Sequence, residues 1–199
     1  CTDLLGYADT NPDPYKVDSN LEGLDKVDLT SLMLSVDRSV GDMTLTSITA
    51  WQDVQRNAQE NTDSSPLQMI ESSYINQQTE FSQELRLASD VGALQWVVGA
   101  YYMRDTTDSK SAYDLLRAYR PFYPYEQTTD TYAIFGQADY ELTPDLILTT
   151  GLRWSSDDKT MDYARTIEES IVQFSVKDSK TFSDWSGKVG LKYNLSDLS

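Results

Sequence analysis

Two alternating runs joined by a three-residue turn, over residues 131–159, constrain this chain more than anything else in it. In the first run Tyr132, Ile134, Gly136, Ala138, Tyr140 and Leu142 share one side of an extended backbone. Ala133, Phe135, Gln137, Asp139 and Glu141 share the other. After Thr143-Pro144-Asp145 the alternation resumes, with Leu146, Leu148, Thr150, Leu152 and Trp154 facing one way and Ile147, Thr149, Gly151, Arg153 and Ser155 the other. Pro144 fixes φ and lacks an N–H, which suits the point where a strand ladder stops. A connection this short joins the runs as a β-hairpin.

The apolar side of each run is free of charge and carries aromatics near its ends. Tyr132 and Tyr140 are eight residues apart, as are Leu146 and Trp154, and Trp185 and Tyr193. At about 3.4 Å per residue and a tilt of roughly 40°, eight residues rise about 21 Å along a barrel axis. A transmembrane barrel shows an outward apolar band about 25 Å tall between two aromatic girdles. The chain has a net charge of −16, no His and a mean hydropathy of −0.50, the profile of a soluble acidic protein. Its longest apolar stretch, Trp96 to Met103, is too short for a membrane helix. A membrane barrel remains compatible, because alternation hides its apolar half among polar lumen residues. The acidic balance argues against nucleic acid, which needs a basic footprint.

Read in order, residues 1–23 are polar, turn-rich loop. Asp9, Asn11 and Asp13 resemble the first ligands of a calcium loop, but Pro14 stands where such a loop needs Gly and Asn20 where it needs Glu. Cys1 is the single cysteine, so there is no disulfide framework and no thiolate metal cluster. An N-terminal Cys suits a lipidation site; a chain cut at this point is the favoured expectation, and the end at Ser199 straight after a strand reads the same way.

Strands are expected over Val27 to Asp37, Met43 to about Arg56, Tyr74 to Ala88, Leu94 to about Asp105, the two runs of the opening hairpin, and Phe182 to Leu195. The facing of the second is open, since Leu45, Ser47, Thr49 and Trp51 compete with Ile48 and Ala50. In the third, Gln83 interrupts an outward row of Phe81, Leu85 and Leu87. Residues 57–73, 105–127 and the stretch after Trp154 read as long polar connections, the last with room for strand extensions. Tight turns fall near Gly41, Gly92 and Pro144, roughly 52 residues apart, and another is expected from Ser196. Short and long connections therefore alternate, as in outer-membrane barrels with short periplasmic turns and long extracellular loops. The fold class is all-β: an antiparallel transmembrane β-barrel segment of about seven strands.

FSQELRLAS, LQWVVGAYY, YAIFGQADYELTPDLILTTGLRWSSDDK and FSDWSGKVGLKYNLSD, in that order, resemble the C-terminal barrel region of TonB-dependent outer-membrane receptors, as does TLTSITAWQD at residues 44–53. The resemblance covers nearly the whole chain from about residue 24. It implies a larger barrel of about 22 strands, occluded by an N-terminal plug that these residues do not include. It also implies a transporter in the bacterial outer membrane, energised through TonB with ExbB and ExbD. The cargo would be a scarce nutrient such as a ferric siderophore, haem, cobalamin or a glycan. On this reading residues 1–199 are part of one barrel domain.

Enzymatic chemistry has little support. Without His, Ser-His-Asp and HExxH arrangements are impossible within the span, and Ser156-Asp157-Asp158-Lys159 matches SxxK only formally. No cofactor and no metal site is expected. Glu84, Arg86, Asp139, Arg153, Lys188 and Lys192 are expected to face the lumen as a mixed-charge network that hydrates and braces it. The candidate substrate site is the long segment 105–127, where Arg117 and Arg120 lie among Tyr113, Tyr119, Phe122, Tyr123 and Tyr125. Aromatic faces stack on catechols or sugars, and Arg pairs with carboxylates; the bland alternative is that these side chains only fold the loop. A passive porin and a secreted polysaccharide-binding module are the competing functions.

Overall fold

The computed structural model describes residues 2–13 and 15–195, so the turn expected from Ser196 and the reading of Cys1 lie outside the described residues. Seven strands form one sheet: β1 (Leu24–Val40), β2 (Met43–Asn61), β3 (Ile70–Val91), β4 (Leu94–Leu115), β5 (Pro121–Thr143), β6 (Leu146–Ile167) and β7 (Ile171–Tyr193). Each pairs antiparallel with its sequence neighbour in the order β1-β2-β3-β4-β5-β6-β7. This up-and-down meander needs only hairpin connections. Gly41 and Gly92, at φ 62° and 69°, take the first positions of two-residue turns, where a positive φ matches the strand twist. Pro144-Asp145 makes the third, with a bulge between Glu141 and Thr143.

The strands are longer than expected. They run 17 to 23 residues, where about 9–11 tilted residues cross a bilayer. The segment 105–127 is thus no loop. β4 continues to Leu115 and β5 starts at Pro121, so only a tight tip separates them. The stretch after Trp154 behaves the same way, turning at Glu168-Glu169, and the connection within 57–73 shrinks to residues 62–69. These extensions are wetted on both faces, so no apolar stripe betrays them, although Thr106, Thr107, Tyr113 and Tyr123 are good strand formers. Leu116-Arg117 and Glu168-Glu169 sit at φ between 52° and 60°, a left-handed pair that hairpins normally give to Asn-Gly.

Register settles which face is which. Leu32 opposes Trp51, Leu34 opposes Thr49 and Val36 opposes Ser47, so β2 presents Leu45 and Trp51 outward and Ile48 and Ala50 inward. Gln83 lies on the outward face, yet Thr49 Oγ1 donates to it at 2.6 Å and its amide donates to Ser47 Oγ at 3.0 Å. Three polar side chains on adjacent strands satisfy one another, which is how an apolar solvent tolerates them.

The outward aromatics form a continuous row. Trp51 opposes Phe81, the Phe81 and Tyr102 rings are 6.5 Å apart, and those of Tyr102 and Tyr132 are 5.3 Å apart. Trp154 and Trp185 face each other directly. Immediately above the row the outward face becomes charged: Asp53 follows Trp51, and Arg104 pairs with Asp130 at 3.0 Å just past Tyr102 and Tyr132. Below it lie Leu85, Val98, Ile134, Leu152, Val189 and Leu191, all exposed.

Among the described residues the buried apolar side chains are only Ala58, Met69 and Ala133. A water-soluble sheet of this size would bury one apolar face; here that face is left uncovered, far beyond the few hundred Å² a soluble monomer exposes. Hydrocarbon is the solvent that fits. In the full-length protein in bilayers, spin labels at Ile134, Leu148 and Leu191 should collide with oxygen more readily than with a polar nickel chelate. Greater nickel accessibility at all three would contradict the outward assignment.

Candidate functional site

The face opposite the apolar band carries Glu84, Arg86, Asp139, Arg153, Lys188 and Lys192, but not as one network. Arg86 Nε pairs with Glu84 two residues away on β3. Asp139 accepts from Thr149 Oγ1 and, at 3.2 Å, from Gln137 Nε2. Arg153 places its guanidinium carbon 5.6 Å from the Phe135 ring centroid. Same-face neighbours two residues along a strand, or opposite on the next one, satisfy these groups locally.

Phe135 in turn covers Gly99. A Cβ on Gly99 would stand 2.4 Å from Phe135 Cζ and 2.9 Å from the Leu85 carbonyl oxygen. Register sets Arg86, Gly99, Phe135, Arg153 and Ser186 in one row across β3 to β7. The ring lies flat because its neighbour has no side chain, and Arg153 packs where the ring leaves room.

At the far end of the sheet the six residues singled out in 105–127 are divided between two faces. Alternation along β5 sends Tyr123 and Tyr125 inward and Phe122 outward. Arg117 and Arg120 bend toward the outer side. Arg120 Nε pairs with Asp114 Oδ2 at 3.1 Å, Arg117 Nε donates to Gln68 Oε1, and the Arg117 N–H donates to Asp114 Oδ1 at 2.9 Å. Arg120 and Asp114, with Glu71, Phe122, Glu168 and Glu169, edge a cleft of about 430 Å³. Both guanidiniums are therefore engaged, Arg120 on Asp114 of its own hairpin and Arg117 on Gln68 of the β2–β3 connection, and the structure records no contact of either with the tyrosine rings.

A different cationic group does meet the tyrosines. Tyr74, Tyr113 and Tyr123 stack edge to face, at 6.1 Å and 88° for the first pair and 5.8 Å and 81° for the second. Arg165 of β6 lies over Tyr123 at 5.9 Å and donates from Nη2 to Tyr119 Oη. Tyr125 turns away, donating to Gln127 Oε1 at 2.6 Å. The β5–β6 ladder has a gap here: pairing runs from Phe122–Thr166 to Tyr125–Tyr163, skipping Tyr123 and Pro124. Pro124 has no N–H to give, and the Arg165 side chain stands on the inward face beside this gap. Arg165 Nε is buried without a partner among the described residues, a rare condition for a guanidinium. The Tyr119 hydroxyl, aided by surrounding phenols, raises the Arg165 pKa further, so the group is a permanent cation. Chemically the rim offers ring faces and phenol hydroxyls beside one guanidinium.

Tyr74 and Arg165 were not singled out in the sequence. Extending the alternation of β6 past Lys159 would have placed Tyr163 and Arg165 on the face of Tyr123. Asp9, Asn11 and Asp13 use their side-chain oxygens in successive Asx turns, accepting from the N–H two residues on at 2.7, 3.0 and 3.0 Å.

The family model described as TonB dependent receptor-like, beta-barrel, matches residues 3–198. Among solved structures, the ferric yersiniabactin uptake receptor FyuA from Yersinia pestis superposes with a TM-score of 0.76 at 21% identity, over 87% of this chain and 27% of that one. The copper transporter OprC gives 0.68 at 16% identity, over 91% and 29%. The ferric-catecholate import receptor Fiu from E. coli K12 gives 0.65 at 15% identity, over 96% and 36%. The chain thus spans about a third or less of the length of these barrels, and at such identities the likeness is one of fold.

The Gly99–Phe135–Arg153 row can be tested directly. Gly99→Val in the full-length protein should destabilise the barrel by about 1–3 kcal/mol, the usual cost of overpacking. The readout is an earlier midpoint in urea unfolding from vesicles; an unchanged midpoint would mean that Phe135 swings aside freely.

Proposed function

The chain belongs to the TonB-dependent receptor β-barrel family, and from that premise we propose that it forms part of an outer-membrane active transporter. Its cargo is a scarce nutrient such as a ferric siderophore. The observation that carries the reading is the family match over residues 3–198, on a sheet whose outward face suits hydrocarbon. Residues 1–199 contribute to the barrel domain. β1 and β7 pair on one side only, and lipid does not tolerate an open strand edge. Further strands of the parent protein complete the wall, and a plug fills the lumen.

In this proposal TonB, with ExbB and ExbD, transmits energy from the inner membrane to move the plug. The barrel binds and admits the cargo and performs no covalent chemistry. The wet strand extensions rise above the aromatic row and present the Tyr74, Tyr113, Tyr123 and Arg165 cluster at the outer mouth. Ring faces beside a cation suit an acceptor-rich chelate with aromatic or carboxylate groups. Phe122, on the opposite face, is outside the site, and Arg117 and Arg120 support it by bracing the hairpin tip.

A strain lacking the parent protein should lose uptake of iron from at least one of three probes: a ferric tris-catecholate, ferric citrate or a ferric tris-hydroxamate. Removing TonB should abolish the same uptake; transport that persists without TonB would identify a passive pore instead. With the responsive chelate, Tyr123→Ala and Arg165→Ala should each weaken binding to the purified receptor about tenfold, a lost charge-assisted or stacking contact. Phe122→Ala should leave it within about twofold.

A further inference from the structure

The connection between β2 and β3, residues 62–69, stands outside the rim site, yet it buries Ser65 and Met69 to 1% and 7% exposure in a chain whose side chains are mostly half-buried or exposed. Asp63 organises it. Its Oδ1 accepts the Ser65 N–H at 2.9 Å, and its Oδ2 accepts the N–H groups of Met69 and Ile70 at 3.1 and 2.5 Å. One carboxylate thereby satisfies three backbone donors and ties the start of the connection to its end. The Asn61 side chain completes the fold, accepting the Ser64 N–H at 2.6 Å and donating to the Ser65 carbonyl at 3.1 Å.

The connection so folded grips the tip of the next hairpin. The Met69 carbonyl accepts the Leu116 N–H at 2.8 Å. Gln68 Oε1 accepts from Arg117 Nε, and Gln68 Nε2 donates to Asp114 Oδ2 at 3.4 Å. These contacts fall on Leu116 and Arg117, the two residues of the tip held in the left-handed region at φ 55° and 57°. Neither is Gly or Asn, and such a backbone persists only where its surroundings over-determine it. Here the determination comes in part from another connection. The tip then delivers Tyr119, whose N–H and C=O both bond to Leu115, at 3.1 and 2.9 Å. Its phenol oxygen accepts from Arg165 Nη2, and Arg165 lies over Tyr123. Direct contacts therefore run from Asp63 through Met69 and Gln68 to Leu116 and Arg117, and from Tyr119 to the cation of the rim site.

We propose that Asp63 is a positioning residue for the rim site: it folds the β2–β3 connection into a clamp that holds the strained β4–β5 tip, so that Tyr119 fixes the Arg165 guanidinium before cargo arrives. Both Asp63 oxygens are occupied by backbone N–H groups, so its effect on cargo passes through its neighbours. Released from the clamp, Leu116 and Arg117 leave the left-handed region and carry Tyr119 away from Arg165. Holding a binding group in place beforehand removes an ordering cost from association. The clamp rests on these contacts alone; its consequence for cargo rests on the import reading.

The test uses the purified full-length receptor and its Asp63→Ala variant, with heat-modifiable gel mobility as the check on folding. Amide hydrogen exchange over residues 115–120 should be at least about tenfold faster in the variant, with the strands below the aromatic row unchanged. A ferric tris-catecholate, ferric citrate and a ferric tris-hydroxamate are titrated in turn by tryptophan quenching, and the chelate that binds should bind the variant about fivefold more weakly. In an Arg165→Ala background the same substitution should change binding by less than about twofold, because the group it positions is gone. If Asp63→Ala does not assemble, Gln68→Leu removes the grip on Arg117 while leaving the Asp63 bonds in place, and the same outcomes are expected. Unchanged exchange over 115–120, faster exchange with unaltered binding, or equal weakening in both backgrounds would overturn the proposal. A receptor that binds and imports none of the three chelates contradicts the import reading instead, and the exchange comparison still decides the clamp.

Discussion

Backbone hydrogen bonding between neighbouring strands is the constraint on which the rest of this structure depends. A peptide group facing hydrocarbon has no water to turn to, and leaving it unpaired costs several kcal/mol. The chain answers with six consecutive antiparallel ladders and no detour between them. Once every N–H and C=O is committed to a neighbour, side chains are left with two directions only. One must suit lipid and the other water. The period-two pattern over 131–159 is the direct imprint of that division, which is why it is legible in the sequence.

The same logic explains where the pattern stops informing. Between the aromatic rows each strand has one dry face, and Phe81, Val98, Ile134, Leu148 and Leu191 stand out against polar alternates. Above the upper row both faces are wet, so Thr106 to Leu115 and Pro121 to Asp130 look like loop although they are ladder. β2 was ambiguous because Ser47 and Thr49 occupy outward positions, weakening the contrast with Ile48 and Ala50. Those two hydroxyls and Gln83 form one hydrogen-bonded unit across strands. A blemish in one strand and an ambiguity in the next are thus a single feature, visible only when register is known.

For the outer rim, sequence proximity was a poor guide. Arg117, Arg120, Phe122 and Tyr123 are close in the chain, but on extended backbone adjacent side chains diverge. Tyr123 finds its cation on β6 and an aromatic neighbour, Tyr113, on β4, which in turn stacks on Tyr74 of β3. Composition drew attention to Tyr119 and Tyr123, both of which meet Arg165 in the structure. The partners Tyr74 and Arg165 lie about 50 and 40 residues away along the chain, where only strand pairing brings them together. Pro124 matters for the same reason: a missing N–H leaves no mark on an apolar pattern, yet the ladder is interrupted beside Arg165.

Glycine links the stability of this sheet to its inward chemistry. Gly in a strand weakens it, by roughly 0.5–1 kcal/mol relative to Ala, and β4 to β7 contain several. At Gly99 and Gly151 the gap is covered by a long side chain from the next strand, Phe135 in one case and Lys188 in the other. Such cover recovers packing that the missing Cβ gives up. It also fixes direction, because a side chain lying flat on a bare backbone has few other places to go. Phe135, so held, becomes a platform for Arg153; Lys188, so held, presents its ammonium beside the same row. The positions that make the sheet locally weak are therefore the ones that hold Phe135 and Lys188 against the wall, and bulkier residues there would cost that cover.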